Sequence, residues 1–192
     1  MSYADRFLHG FGLAMRGLPL ANLETLAESL LMLKQRRGRL FFLGVGGSAA
    51  NASHAVNDFR KIAGIESYAP TDNVAELTAR TNDDGWRFTF SEWLRVAHLT
   101  PNDAIFVLSV GGGSEHTSQN LVEALAYAKS RHAAIFGIVG RDGGETLAQA
   151  TVCVLVPTVD PASITPYVES MQSLLLHLLV TDAALAQTAP SA

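Results

Sequence analysis

The stretch FFLGVGGSAANASHAVNDF, residues 41–59, combines an apolar run, a glycine-serine turn and a segment with helical spacing. The segment RLFFLGV predicts a short buried strand, and residues 48–63 predict a helix. Glycines in the turn GVGGS permit positive φ angles and a close approach of a ligand to the backbone. A helix that starts at such a turn offers unpaired N–H groups to an anion. This stretch therefore predicts an anion-binding strand–turn–helix unit.

The same order of elements recurs along the chain. Pro19 is expected to separate two helices within residues 1–37, and the segment 38–160 is expected to form an α/β core. Further strands are predicted at 102–110, 133–140 and 151–157, a short strand or loop at 66–70, and helices at 88–99, 120–132, 144–150 and 166–186. Buried strands that alternate with helices predict a parallel sheet covered on both faces. We expect one three-layer α/β domain over residues 1–192, with a frayed tail from Gln187.

Composition narrows the class of protein. A chain of 192 residues that is 48% hydrophobic can build one domain with a sizeable core. Its formal net charge of −4 lacks the basic footprint of a nucleic-acid binder, so no nucleic-acid partner is expected. Neither a signal-peptide pattern nor an apolar run of roughly 20 residues is found, so no membrane partner is expected. The single cysteine, Cys153, predicts a buried strand position and a reducing compartment, which together indicate a cytoplasmic protein.

A second glycine-serine turn, SVGGGS at residues 109–114, also follows a predicted strand and precedes a predicted helix. Parallel strands bring their carboxyl ends to one edge of the sheet, where ligands usually bind. Two such turns at that edge predict a phosphate site that needs no lysine, because hydroxyl and backbone N–H groups donate to the anion. The candidate phosphate-binding residues are Gly46, Gly47, Ser48, Ser109, Gly111, Gly112, Ser114 and Thr117, with Ser118 and His116 as further candidates.

A dinucleotide site is the alternative interpretation of the first turn. Gly44, Gly46 and Ala49 fit the pattern G-x-G-x-x-A, and Glu66 lies about 20 residues further on, where a ribose-binding acid would be expected. Glu66 does not, however, end a clear hydrophobic second strand. A dinucleotide motif also leaves the second turn unexplained, so the phosphate site is favoured.

Several segments resemble one family in collinear order. GVGGSAANASHAVNDF resembles GNGGSAADAQHFAAEL of the bacterial phosphoheptose isomerases, which belong to the sugar isomerase (SIS) family. LTARTNDDG resembles their LTAIGNDYG, SVGGGS stands where they have STSGNS, and GIVGRDGGETLAQATVCVLVP resembles a strand–helix–strand segment of theirs. The resemblance covers roughly residues 20–180. It implies a flavodoxin-like fold, a homotetramer, and interconversion of sedoheptulose 7-phosphate and a glycero-manno-heptose 7-phosphate for surface polysaccharide.

Such an isomerisation moves a proton between adjacent carbons through an enediol, so it needs a base, an acid or metal at the carbonyl oxygen, and a phosphate anchor. His54 and Asp58, four residues apart, share one face of the predicted helix. The resemblance implies that Asp58 and His177 are catalytic and that Thr71 and Asp72 contact substrate hydroxyls. From the residues alone, His177 could instead be a buried core histidine, and Asp58 a surface acid paired with Arg60 or Lys61.

The resemblance also implies a metal site, which we expect to hold Zn²⁺ or a similar divalent ion. Its candidate ligands are His54, Asp58, Glu169 and His177, two imidazoles and two carboxylates. Eight helical residues rise about 12 Å, so Glu169 and His177 share an ion only if both side chains lean inward or if Glu169 precedes the regular helix. Otherwise the two residues serve sites of different subunits.

Departures from the family pattern indicate a divergent branch. Asp58 replaces a glutamate, Val45 an asparagine, Glu169 a glutamine and Pro166 an aspartate, and the loop at SVGGGS is longer. The expected substrate is therefore sedoheptulose 7-phosphate or a closely related sugar phosphate. The alternative function is a non-catalytic SIS module that binds a sugar phosphate or a protein, as the DnaA-binding initiator-associating protein does. Retention of Asp58 and His177 favours the enzyme, and a bound divalent ion would favour it further.

Overall fold

The computed structural model describes residues 1–186, and the frayed tail predicted for residues 187–192 lies outside this part. Five strands form the sheet: β1 (Leu40–Gly44), β2 (Ser67–Tyr68), β3 (Ala104–Ser109), β4 (Ala134–Val139) and β5 (Val152–Leu155). Eight α-helices are described: α1 (Tyr3–Arg16), α2 (Leu20–Gln35), α3 (Gly47–Asp58), α4 (Val74–Asp83), α5 (Thr89–Val96), α6 (Gln119–Ser130), α7 (Gly144–Gln149) and α8 (Ile164–Thr181).

The sheet is entirely parallel, with the strand order β2-β1-β3-β4-β5. The chain adds β2 on one side of β1 and then crosses to add β3 on the other side. This order is that of flavodoxin-like folds, in which the crevice between the carboxyl ends of the first and third strands binds ligands. The expected α/β class and parallel sheet are confirmed, and residues 66–70 supply the short edge strand β2.

Alternation along the strands divides the core into two layers. Leu40 and Phe42 on β1 face the cluster formed with α1, α2, α3 and α8, whereas Phe41 and Leu43 face the cluster with α5 and α6. All four side chains are fully buried. Because both faces of each strand are covered, the strands are continuous hydrophobic runs, as parallel sheets require.

Helix α8 differs from the predicted range 166–186. It begins at Ile164, so Pro166 lies in the first turn, where its missing N–H is not needed. It ends at Thr181 because the carboxylate of Asp182 accepts a hydrogen bond from the N–H of Ala184 and turns the chain out of the helix. Among residues 1–186, no helix is long and apolar enough to cross a bilayer.

Candidate active site

The turn GVGGS places the start of α3 at the carboxyl end of β1. Gly46 adopts a φ of 63° directly before α3, a conformation that glycine reaches without steric cost. Within the described residues 1–186, no side chain caps this helix, and its first turn carries no acid. The unpaired N–H groups and the positive end of the helix dipole therefore favour an anion, and the carboxylate of Glu169 already lies beside them, against Gly47.

The turn SVGGGS is fixed by the start of α7. The carbonyl oxygen of Gly112 accepts hydrogen bonds from the N–H and the hydroxyl of Thr146, at 3.0 and 2.7 Å. The carbonyl of Gly113 accepts from the N–H of Glu145 at 3.0 Å. Gly112 has a φ of 70°, and a Cβ there would collide with the carbonyl of Gly143. The glycines at these positions thus permit the close contact that holds the loop against α7.

Between the two turns lies a cleft of about 500 Å³. Five of the predicted phosphate-binding residues line it, namely Ser48, Ser109, Gly111, Ser114 and Thr117. Three do not: Gly46 borders open space at the start of α3, Gly47 lies against Glu169, and Gly112 faces α7. The N-terminus of α6, which also lacks a side-chain cap, follows this loop. The cleft therefore combines hydroxyl groups with two uncapped helix starts, an arrangement suited to a phosphate.

Sequence reasoning missed part of the lining. Arg141, Asp142 and Gly144 from the GRDGG turn after β4 border the cleft, as does Thr165 from the start of α8. Ser118, a further candidate from the sequence, lines it too. Two sequence signals pointed to this turn: it lies in the segment GIVGRDGG that resembles the family, and it follows a parallel strand that is next to β3 in the sheet. His116, in contrast, is strongly exposed and pairs with Glu115 at 2.7 Å.

A second cluster lies along the packed pair α3 and α8. The Nε2 atoms of His54 and His177 stand 2.9 Å apart, and both approach Oδ2 of Asp58, at 3.1 and 3.4 Å. The other carboxylate oxygen of Asp58 accepts from the side-chain amide of Asn57 at 2.9 Å. The two histidine side chains are 50% and 52% exposed, whereas that of Asp58 is 12% exposed. A solute can therefore reach the imidazoles, whereas the largely buried carboxylate of Asp58 contacts both of them from the protein side.

The geometry of this cluster suits a divalent ion. Ligand atoms about 2.0–2.1 Å from a tetrahedral zinc ion stand roughly 3.3 Å from one another, close to the separations between these nitrogen and oxygen atoms. Within residues 1–186, the group of side chains that could hold a metal consists of His54, Asp58 and His177.

Glu169, the fourth expected ligand, is not part of this group. Its carboxylate lies against Gly47 at the start of α3, and its backbone carbonyl accepts from Asn51 at 2.9 Å. Helices α3 and α8 run side by side in the same direction, so Glu169 and His177 contact α3 about two turns apart. Regular helix already at Ile164 makes this separation about 12 Å, because every residue between them rises 1.5 Å.

Known proteins resemble this chain over most of its length. It is 31% identical over 147 residues to the phosphoheptose isomerase of Rhodospirillum rubrum, covering 74% of this chain and 73% of that protein. It is 34% identical over 164 residues to that of Geotalea daltonii, covering 83% and 79%. The chain belongs to the phosphoheptose isomerase family. No family model matches it.

Solved structures of phosphoheptose isomerases agree with the fold. The one from Neisseria gonorrhoeae superposes with a TM-score of 0.78 and 26% identity over 93% of both chains. The one from Francisella tularensis has the same TM-score at 19% identity, covering 94% of this chain and 97% of that one. The expected family and SIS-type fold are thus confirmed, and the chain is an aldose–ketose isomerase of this family.

The remaining candidates of this isomerase lie beside α3. Asp72 accepts a hydrogen bond from the hydroxyl of Ser53, the residue before His54. The hydroxyl of Thr71 is buried and has no hydrogen-bond partner among the described residues. Arg60 donates to the carbonyl of Ser67 and lies over the ring of Tyr68, and within residues 1–186 Asp58 pairs with the two histidines rather than with Arg60 or Lys61. Thr71 and Asp72 follow the edge strand β2, outside the lining of the cleft.

Proposed function

We propose that this chain isomerises sedoheptulose 7-phosphate, or a closely related sugar phosphate, to the corresponding aldose through an enediol. Two features of one surface support the proposal: a cleft suited to phosphate and a histidine–aspartate–histidine cluster further along the same helix pair. We propose that this reaction supplies heptose for the synthesis of surface polysaccharide.

The distance between these two features supports a long substrate. His54 lies six positions after Ser48, the residue of α3 that lines the cleft, which is a rise of about 9 Å. An extended seven-carbon sugar phosphate spans roughly 9 Å between phosphorus and its second carbon, judged from ordinary bond lengths. A substrate with its phosphate at the start of α3 would therefore bring its carbonyl end to His54 and His177. A five-carbon sugar phosphate would be too short to reach both.

The acid–base roles follow from access and charge. We assign Asp58 as the base that removes the proton from the carbon beside the carbonyl, and His177 as the group that supplies a proton at the carbonyl oxygen. Oδ2 of Asp58 lies 3.4 Å from Nε2 of His177, so one reacting pair of carbon and oxygen atoms can contact both groups. The imidazole of His177 is half exposed, so a substrate can contact it directly, whereas Asp58 is largely buried beneath it.

The same cluster is proposed to hold a divalent ion, with zinc as the first candidate. His54, Asp58 and His177 are the proposed ligands, and Glu169 remains a candidate only for a substrate contact. When bound, such an ion would polarise the carbonyl group of the substrate. Without it, Asp58 still orients both imidazoles through its Oδ2 atom.

The phosphate is proposed to bind Ser48 at the start of α3 and Ser109, Ser114 and Thr117 around the second loop. Thr71 and Asp72 are proposed to contact substrate hydroxyls, and the unpartnered hydroxyl of Thr71 supports this role. We further propose a homotetramer in the cytoplasm, a compartment in keeping with an unpaired, buried Cys153.

The test is turnover of sedoheptulose 7-phosphate by the purified chain in deuterated water. An enediol route places deuterium at the second carbon of the product. Asp58→Asn and His177→Asn should lower kcat by about 100-fold or more, the usual loss when an acid or base is removed. Metal analysis of the wild type and of His54→Ala measures ion binding in the same preparations.

His9→Asn is the matched control, because His9 lies on α1, outside both the cleft and the cluster. It should keep full activity. Seven-, six- and five-carbon ketose phosphates should be converted with falling kcat/KM as the chain shortens. Full activity of both site variants, or equal turnover of all three substrates, contradicts the site assignment.

A further inference from the structure

Five non-glycine residues of the described chain have a left-handed backbone, and three have an ordinary structural reason. Arg37, His98 and His132 each follow the cap of a helix, where left-handed residues are common. In each case the next residue donates its N–H back across the helix end: Gly38 to Leu33, Leu99 to Leu94 and Ala133 to Ala128, at 3.0, 3.3 and 3.0 Å.

The other two left-handed residues, Ser118 and Arg141, end no helix and both line the cleft. Arg141 has a φ of 52° at the first position after Gly140. The turn is closed by the N–H of Gly143 donating to the carbonyl of Gly140 at 2.9 Å. Left-handed geometry disfavours an arginine, so the turn alone would be built more easily with glycine. An arginine in this conformation therefore points to a use for its side chain.

The side chain of Arg141 extends along the phosphate loop. Its Cδ lies 3.6 Å from the position that a Cβ on Gly111 would occupy, and its Nε lies 4.0 Å from it. Arg141 is the one basic residue among those that line the cleft. Its guanidinium forms no ion pair or hydrogen bond with any residue of the described range 1–186, so its donors are available.

Asp142 does not neutralise this cation. Its Oδ1 accepts from the N–H of Gly144 at 3.2 Å, which turns the carboxylate into the GRDGG turn. The guanidinium of Arg141 is therefore free to bind a ligand in the cleft. The two uncapped helix starts beside the cleft also favour an anionic ligand.

We propose that Arg141 binds the phosphate of the substrate and selects a phosphate monoester over uncharged sugars. This inference rests on the proposed function of the cleft. The planar guanidinium offers two parallel N–H donors to two phosphate oxygens, and it adds the full positive charge that hydroxyl and backbone donors lack. Binding of this kind acts on substrate and transition state alike, so it lowers KM and leaves kcat nearly unchanged.

Arg141→Gly is the decisive variant, because glycine relieves the left-handed strain while removing the cation. KM for sedoheptulose 7-phosphate should rise by about 10-fold or more, with kcat within roughly threefold and the melting temperature not lowered. Arg141→Gln keeps the side-chain length without the charge and should give a similar rise in KM. The inhibition constant of inorganic phosphate should rise in parallel.

Arg37→Gly is the matched control, since Arg37 is a left-handed arginine at the end of α2, outside the cleft. It should relieve comparable strain with no change in KM. Unchanged KM and phosphate inhibition in both Arg141 variants would overturn the inference while leaving the isomerase proposal intact. If the wild type turns over no sugar phosphate, calorimetric titration with inorganic phosphate still tests whether Arg141 binds phosphate. Weaker binding by the Arg141 variants then supports the role, and equal binding overturns it.

Discussion

The buried carboxylate of Asp103 joins β1, β3 and the turn between α5 and β3. It accepts the backbone N–H and the guanidinium of Arg39 and both the N–H and the hydroxyl of Thr100, at distances from 2.7 to 3.1 Å. Burial alone raises the pKa of this carboxyl, but the hydrogen bonds from Arg39 and Thr100 outweigh burial and hold its pKa below the usual value. The ionised form is thus the one that the fold stabilises.

Replacing Asp103 by Asn should lower the free energy of unfolding at pH 7 by roughly 2–4 kcal/mol, because Arg39 loses its buried partner. A carboxyl with a lowered pKa in the folded state stabilises the fold above its unfolded pKa, about 3.9, and loses that contribution as pH falls through the folded value. The difference in unfolding free energy between wild type and variant should therefore be largest at pH 7 and should shrink below about pH 4. Urea unfolding over a pH series measures it.

Asp83→Asn is the control for this series, because Asp83 is exposed at the end of α4 and, among residues 1–186, accepts only from Asn82. Its unfolding free energy should match that of the wild type throughout. A pH-independent gap for Asp103→Asn would contradict the electrostatic explanation.

At the scale of elements, the second glycine loop takes its shape from α7. The carbonyls of Gly112 and Gly113 satisfy the first N–H groups of α7, which would otherwise lack partners. Because these carbonyls point at α7, the opposite side of the loop is left to face the cleft. Thr146 is fully buried and binds Gly112 twice, so it determines the position of the loop.

Thr146→Val keeps the shape of the side chain and removes its hydroxyl bond to Gly112. We expect a loss of about 1 kcal/mol in unfolding free energy and a rise in KM of roughly threefold or more, because the loop shifts. Thr146→Ser retains the hydroxyl and should keep KM near the wild-type value. Thr25→Val, which removes a similar hydroxyl bond on α2, should leave KM unchanged. Equal KM for Thr146→Val and Thr146→Ser would show that the hydroxyl does not position the loop.

At the scale of the whole molecule, several exposed apolar side chains lie on α1 and α8, helices that pack in the same layer. Leu8 on α1 and Leu174 and Leu178 on α8 are 68%, 43% and 50% exposed. The last two flank His177 on the same side of α8, because residues three and four apart share a face. Burying this surface against other copies would stabilise the proposed tetramer and remove water from beside the histidine cluster.

Leu178→Glu should convert the proposed tetramer into smaller species, because four charges would be desolvated at the interfaces. Light scattering coupled to size-exclusion chromatography measures the mass, and circular dichroism should be unchanged since the side chain is exposed. Val96→Glu is the control, because the similarly exposed Val96 lies on α5, in the other layer. A monomeric wild type, or an unchanged mass for Leu178→Glu, would contradict the proposed assembly.

The sequence by itself determined the order of strands and helices, the parallel sheet, and the two glycine-serine turns at one edge. These features are local. Hydrophobic periodicity and the conformational freedom of glycine act over a few residues, so both can be predicted from the sequence. It also identified His54, Asp58 and His177, because a spacing of four and a family motif place them on helices. The structure brings these three side chains together.

Only the tertiary structure decided which of those residues meet. The register of α3 against α8 places His177 beside His54 and puts Glu169 two turns away, against Gly47, since the rise of a helix cannot be shortened. The pairing of Asp103 with Arg39 likewise joins segments that are far apart in the chain. Such contacts depend on packing across the whole fold, and no short stretch of sequence contains them.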